Sequence, residues 1–142
     1  MTKNKNISQK ELCELALQAM NGSYSPYSRY KVGAALLCKS GKVYLGSNIE
    51  NAAFTPTVCA ERVAFFKAVS EGEREFSMIA VCGGKDGDAD LFFPPCGVCR
   101  QVMAEFCAPD FEVLLCKKDG EYKKYALSEI LPVSFSAQNI DK

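Results

Sequence analysis

The chain contains no histidine, so any metal site it builds must do without the usual nitrogen partner of cysteine. It also lacks an excess of charge: 17 lysines and arginines balance 17 aspartates and glutamates. That balance leaves no basic surplus to hold a phosphate backbone and argues against nucleic acid as a partner. No uninterrupted apolar run approaches bilayer-spanning length, and the opening MTKNKNISQKELCE has no apolar core of the kind a secretory leader needs. A soluble, cytoplasmic protein without a membrane partner is expected. Internal repeats, linkers and low-complexity tails are missing too, so residues 1–142 read as a single domain, apolar enough at 48% to bury a real core.

What the chain does have is cysteine, eight of them. In a secreted chain they could all pair as disulfides; in a cytosolic one they are thiols or metal ligands, and the leader-free start favours the second. Cys13, Cys38, Cys82 and Cys116 sit inside apolar periodic segments, where a free cysteine packs as a small core residue. Cys107, near the end of an expected helix, reads the same way. Cys59, Cys96 and Cys99 remain.

Ser8-Gln9-Lys10-Glu11 has the form of a capping box, and Leu12, Leu15, Ala16, Ala19 and Met20 repeat at helical spacing until Asn21-Gly22. Val32 to Cys38 and Val43 to Gly46 read as a hairpin around Ser40-Gly41. Met78 to Cys82 and Phe111 to Cys116 are short apolar runs, as expected of strands covered on both faces. Tyr122 to Ala126, after Asp119-Gly120, completes a second hairpin. The stretches 58–71 and 97–107 are helical and long enough to cross over and bring the next strand in parallel. The fold class is therefore α/β: a mixed sheet of about five strands flanked by helices. KDGDAD, residues 85–90, lacks the spaced acids and closing glutamate of a calcium loop and reads as solvated.

Cys59 opens the first crossover helix, in TVCAERVAFF, and Cys96 and Cys99 open the second, in FFPPCGVCRQV. Neighbouring crossovers in such a sheet open at one edge, where these folds place ligands, so three thiols can converge. Helix N-termini favour the thiolate, the form that binds zinc, and soft sulfur in tetrahedral geometry selects that metal. A structural site would supply a fourth cysteine or histidine; a catalytic site keeps one position for water. Glu61 lies on the same first turn as Cys59, where a carboxylate beside a metal-held water can take its proton and pass it on. Three thiolates on a dication leave a net negative centre, so Arg62 and Arg100 are expected to offset it by donating hydrogen bonds to the sulfurs.

Cys59-Ala60-Glu61, followed by Pro95-Cys96-Gly97-Val98-Cys99-Arg100-Gln101, resembles the zinc-dependent nucleoside deaminases, most closely the small homotetrameric cytidine deaminases, here with all-cysteine ligands. The resemblance runs from Ser25-Pro26-Tyr27-Ser28 through Val32-Gly33-Ala34-Ala35-Leu36 to Leu131-Pro132-Val133-Ser134-Phe135. It implies a cytidine deaminase-like α/β/α fold, one zinc ion per chain on Cys59, Cys96 and Cys99, and Glu61 as proton shuttle. It further implies that cytidine and 2′-deoxycytidine are hydrolysed to uridine and 2′-deoxyuridine with loss of ammonia, in pyrimidine salvage. Asn48-Ile49-Glu50 resembles the ribose-binding segment, with Asn48 and Glu50 on the 3′-hydroxyl, and Ala60 and Glu61 should read the pyrimidine edge. Tyr30 stands where the family usually has phenylalanine against the base. Phe54 matches an aromatic that reaches a neighbouring subunit's site, and Phe135 one that stacks on the base across an interface, so active sites shared within a homotetramer are implied. A zinc staple completed by Cys82 or Cys107, a redox CxxC pair, and blasticidin, nucleotide or RNA-editing deaminases are the competing readings.

Overall fold

Strands that are apolar on both faces have to be covered on both, and that requirement shapes the computed structural model, which describes residues 6–140. The strands are β1 (Tyr30–Cys38), β2 (Val43–Ser47), β3 (Phe76–Lys85), β4 (Glu112–Cys116) and β5 (Tyr122–Ala126). They form one sheet in the order β2-β1-β3-β4-β5. Along the middle strands, Ala34, Leu36, Ile79, Val81, Val113 and Leu115 point into one apolar cluster, and Ala35, Ala80, Cys82, Leu114 and Cys116 into another. Alternation of this kind sends successive side chains to opposite faces. The first cluster is capped by α2 (Ala60–Ser70), α3 (Gly97–Phe106) and the short α4 (Leu127–Ile130), the second by α1 (Gln9–Ala19). The expected mixed sheet flanked by helices is present.

Local signals explain the element ends. Ser8 caps α1: its hydroxyl accepts from Glu11 N at 3.0 Å while the Glu11 carboxylate accepts from Ser8 N at 2.9 Å, the reciprocal capping box that Ser8 and Glu11 suggest in sequence. A single 3-10 turn, Met20–Gly22, extends α1 beyond its periodic residues. β1 begins at Tyr30, two residues before its apolar run, and β3 runs on through Gly83-Gly84 to Lys85. Both extensions pair with one another, Tyr30 opposite Lys85 and Lys31 opposite Gly84, so a partner strand supplies what the apolar pattern lacks.

Both β2 and β3 run antiparallel to β1, which lies between them, whereas β3 and β4 are parallel neighbours. The crossover through α2 therefore joins two strands that are parallel but not adjacent. Its helix starts from the same edge of the sheet as α3. α2 is pressed onto β2 at Gly46, where a Cβ would stand 2.2 Å from the Ala60 carbonyl oxygen and 2.6 Å from Ala64 N; only glycine permits that approach.

The cysteines depart from expectation at one place. Cys13 on α1 and Cys116 on β4 form a disulfide, with Cα atoms 5.9 Å apart, a separation such a bond spans. Each was expected to be a free core thiol; α1 packs across the face of β4 and sets the two buried sulfurs against each other. Cys38, Cys82 and Cys107 are free, and burial pushes each of these thiols up to about 12, which leaves them unreactive at neutral pH. Asp86 and Asp88 of the KDGDAD loop are spent on exposed ion pairs with Arg29 and Lys118. No helix among the described residues is long and apolar enough to cross a membrane.

Candidate metal centre and active site

Two helices begin in the same unusual way at one edge of the sheet. Cys59 is the N-cap of α2 and Cys96 the N-cap of α3; both have extended backbones, and neither side chain caps its helix. A serine or threonine in that position would turn its oxygen back onto the helix. The sulfurs instead meet each other: Cys59 Sγ lies 3.7 Å from Cys96 Sγ, and Cys96 Sγ 3.6 Å from Cys99 Sγ. Cys99, in the first turn of α3, is buried. All three sulfurs fall within 4.8 Å of one another, the one cluster of potential metal ligands among the described residues.

These spacings suit zinc. Zn–S bonds of about 2.3 Å in a tetrahedron set sulfurs roughly 3.8 Å apart. Charge distribution points the same way. Hydrogen bonding from Cys99, with help from Arg62 and Cys96, pulls the Cys59 thiol well below its ordinary range despite burial. Cys99 moves in the opposite direction, because it gives its hydrogen bond to Cys59 and is itself buried. Without a cation the three sulfurs cannot all be thiolates, since each negative charge opposes the next. Zinc removes that conflict, so the donor set fits the metal.

Glu61 sits one residue inside α2 and is only 4% exposed. Its Oε1 is buried without a hydrogen-bond partner. Burial, assisted by the negative charge at Cys59, pushes its carboxyl up to about 7. Arg62 Nε, next along the helix, is the other buried polar side-chain atom without a partner among the described residues, and buried polar atoms left unpaired together beside a cluster of thiols mark a candidate site for chemistry. Ala60, between Cys59 and Glu61, is fully buried against β2. Arg62 donates from Nη2 to Cys59 Sγ at 3.3 Å, the contact expected of it. Arg100 does not do what was expected: its Nε donates to Pro95 O at 2.8 Å and its Nη1 to Ile130 O at 2.6 Å. It ties the loop before α3 to α4 and is not directed at the sulfurs.

The remaining substrate-binding candidates lie at the start of β1 and in the segment after β2, except Phe135, which lies on the C-terminal segment beside α3. Asn48 is buried; its Oδ1 accepts from Val32 N at 2.9 Å and Ser23 Oγ at 2.5 Å, and its Nδ2 donates to Tyr30 O at 2.7 Å. The second amide hydrogen makes no hydrogen bond among the described residues. Glu50 Oε1 accepts from Tyr27 N at 2.9 Å and Ser28 N at 3.1 Å, and its Oε2 from Ser28 Oγ. Tyr30 is half-exposed and stacks on Phe93, with centroids 6.0 Å apart. Phe54, 70% exposed and with a positive φ of 66°, meets Tyr27 edge to face. Phe135 is 60% exposed, and its carbonyl accepts from Gln101 Nε2 at 2.8 Å. A recess of about 400 Å³ lies between Ser28, Glu50 and Phe54. A larger recess, about 740 Å³, lies elsewhere, between the end of α3 and residues 131–139.

The family model for the cytidine and deoxycytidylate deaminase zinc-binding region matches residues 6–115, a span that holds all three thiols and Glu61. The chain belongs to that family. A cytidine deaminase of Halalkalibacterium halodurans is 47% identical over 95% of this chain and 99% of its own length. One from Sporosarcina psychrophila is 45% identical, with 87% and 88% covered. The crystal structure of cytidine deaminase from Burkholderia pseudomallei superposes with a TM-score of 0.84 at 41% identity, covering 91% of this chain and 100% of that one. The family is a zinc-binding one, and the Cys59, Cys96 and Cys99 group is where this deaminase chain would hold the ion.

Two residues around these sites, Gly46 and Ser23, carry no mark in the sequence of this deaminase family member, and Ser28 carries little. Gly46 reads as an ordinary strand residue until α2 lies on it. Ser23 and Ser28 belong to a turn-forming stretch rich in serine and proline, where hydroxyls are common for local reasons. Ser28 is marked only as the end of the Ser25-Pro26-Tyr27-Ser28 stretch that carries the resemblance, with no sign of the contact it makes.

Proposed function

We propose that this chain catalyses the hydrolytic deamination of cytidine and 2′-deoxycytidine, giving uridine or 2′-deoxyuridine and ammonia, as a single-domain cytoplasmic enzyme of pyrimidine salvage. The observation that carries this reading is a buried, unpartnered glutamate oxygen beside three thiols at two helix starts. Zinc, when bound by Cys59, Cys96 and Cys99, supplies a Lewis acid that makes water acidic enough to attack at neutral pH.

Glu61 performs the proton work. A carboxyl near 7 both takes and returns a proton at little cost at neutral pH. It removes one proton from the attacking water as the C4–O bond forms and delivers it to N3, then takes the second proton from the new C4 hydroxyl and gives it to the amine as the C4–N bond breaks and the C4 carbonyl forms. Arg62 holds its cationic donor on Cys59 and offsets part of the thiolate charge. Glu50 and the free N–H of Asn48 take the 3′-hydroxyl, and the negative charge of Glu50 disfavours nucleotides by like-charge repulsion. Tyr30 lies along the base, with its hydroxyl wet at the rim. Phe54 and Phe135, exposed within one chain, are assigned to neighbouring copies' sites in a homotetramer.

A structural zinc staple has little support. Cys82 packs in the α1 cluster on the opposite face of the sheet, and Cys107 lies at the far end of α3, so neither supplies a fourth ligand. The deciding experiment follows the ultraviolet absorbance of cytidine, deoxycytidine and blasticidin S with purified protein and measures zinc on the same sample. Conversion of the two nucleosides with about one zinc per chain is expected. Zinc without conversion of either nucleoside would overturn the reading, and preference for blasticidin S would reassign the substrate.

A further inference from the structure

We infer that Ser28 is a positioning residue that orients the Glu50 carboxylate and limits it to a single incoming hydroxyl. This rests on the reading of Glu50 as the ribose contact and adds to it the device that makes the contact selective.

The local chain builds a cradle. Arg29 N donates to Ser25 O at 3.0 Å, closing one turn over Ser25 to Arg29, and Arg29 leaves it with a positive φ of 67°. Inside that turn the N–H groups of Tyr27 and Ser28 have no carbonyl partner within the turn, and both are given to Glu50 Oε1. The Ser28 hydroxyl gives its only hydrogen to Oε2 while accepting from Tyr30 N at 3.0 Å. It therefore joins Glu50 to the first residue of β1. Tyr30 in turn accepts from Asn48 Nδ2 through its carbonyl, so both ribose candidates hang on one short run of backbone.

A carboxylate has about four acceptor positions. Two on Oε1 are filled by N–H groups and one on Oε2 by Ser28, which leaves one. The hydroxyl is the largest influence keeping the Glu50 carboxyl below the usual range, ahead of the two N–H groups. One open acceptor position beside a recess of about 400 Å³ suits one sugar hydroxyl. It does not suit a cation, which would seek several oxygens, or a phosphate, which offers no donor.

The test compares wild type with Ser28→Ala and Ser28→Thr, zinc-loaded, on cytidine and on 3′-deoxycytidine. Ser28→Ala should raise KM for cytidine about tenfold, the low end for a lost hydrogen bond to a charged group, with kcat within about twofold. KM for 3′-deoxycytidine, which offers Glu50 no hydroxyl, should stay within about twofold of wild type. Ser28→Thr keeps the donor and should restore discrimination between the two substrates. Equal losses on both substrates, or no loss on cytidine, would overturn the proposal. Should Ser28→Ala not fold, Ser28→Cys, a weaker donor of similar bulk, replaces it with the same expectations. Wild-type protein that holds zinc but converts neither substrate would bring down the proposed function, and this inference with it; wild type active but indifferent to Ser28 would overturn this inference alone.

Discussion

The first turns of α2 and α3 start alike, each with a cysteine at the N-cap, and then differ in every other respect. The α2 start is sealed: Ala60 and Glu61 are buried, Gly46 brings the β2 backbone against Ala60, and Arg62 points back to a sulfur. The α3 start is open: Cys96 is exposed, Val98 is 57% exposed, a Cβ on Gly97 would meet nothing, and Arg100 points away to carbonyls. On the proposed reading, the sealed turn keeps the proton-handling carboxyl away from bulk solvent, and the open turn supplies two of the three sulfurs. A metal ligand needs only its sulfur in place, whereas a proton shuttle needs its whole surroundings controlled.

The largest effects should come from removing the shared function of the two turns. Cys96→Ala is expected to lose bound zinc and fall to background turnover, read by metal analysis and the absorbance assay. Glu61→Gln should keep its zinc while turnover drops by about 10²- to 10⁴-fold, the range of a lost general acid and base. Retained activity in Glu61→Gln would remove the proton role, and normal zinc in Cys96→Ala would remove the ligand role.

The glycines sharpen the contrast. Gly46→Ala must push α2 off β2 and should cost about 1–3 kcal/mol or more in unfolding free energy, as overpacking does, with turnover falling because Glu61 moves. Gly97→Ala has free space and should stay within about 0.5 kcal/mol of wild type. Denaturant melts of the pair decide whether the sealed and open descriptions hold.

The arginines give a smaller, pH-dependent difference. Protons compete with zinc for the Cys59 sulfur, and contacts that lower its pKa let it keep the metal to lower pH. Arg62→Ala removes one of those contacts, so the midpoint of zinc release should move upward by about one pH unit. Arg100→Ala should leave that midpoint in place and instead destabilise the fold by about 1–3 kcal/mol, through two unsatisfied carbonyls. Identical acid-release curves for Arg62→Ala and wild type would dismiss the sulfur contact.

How much of this was legible in the sequence depends on distance along the chain. The Ser8–Glu11 capping box and the Cys96–Cys99 pair are local, and both stand as their spacing suggests. Cys59 was legible because a helix start can be recognised and the sheet topology then places two such starts at one edge. Arg100 was not, since the Ile130 carbonyl it reaches is 30 residues away and an adjacent cysteine offered a nearer explanation. The Cys13–Cys116 bond spans 103 residues, and apolar periodicity records only that each is buried. Gly46 shows its purpose only once a helix lies against it.

The strand that separates β2 from β3 also ties the metal centre to the finished sheet. In the folded sheet β1 pairs with β2 on one side and β3 on the other, and the three sulfurs, from residues far apart in sequence, meet across helices anchored to those strands. A metal held by all three sulfurs would favour the native state by mass action, so bound zinc in a refolding experiment is expected to appear with closure of the central three strands.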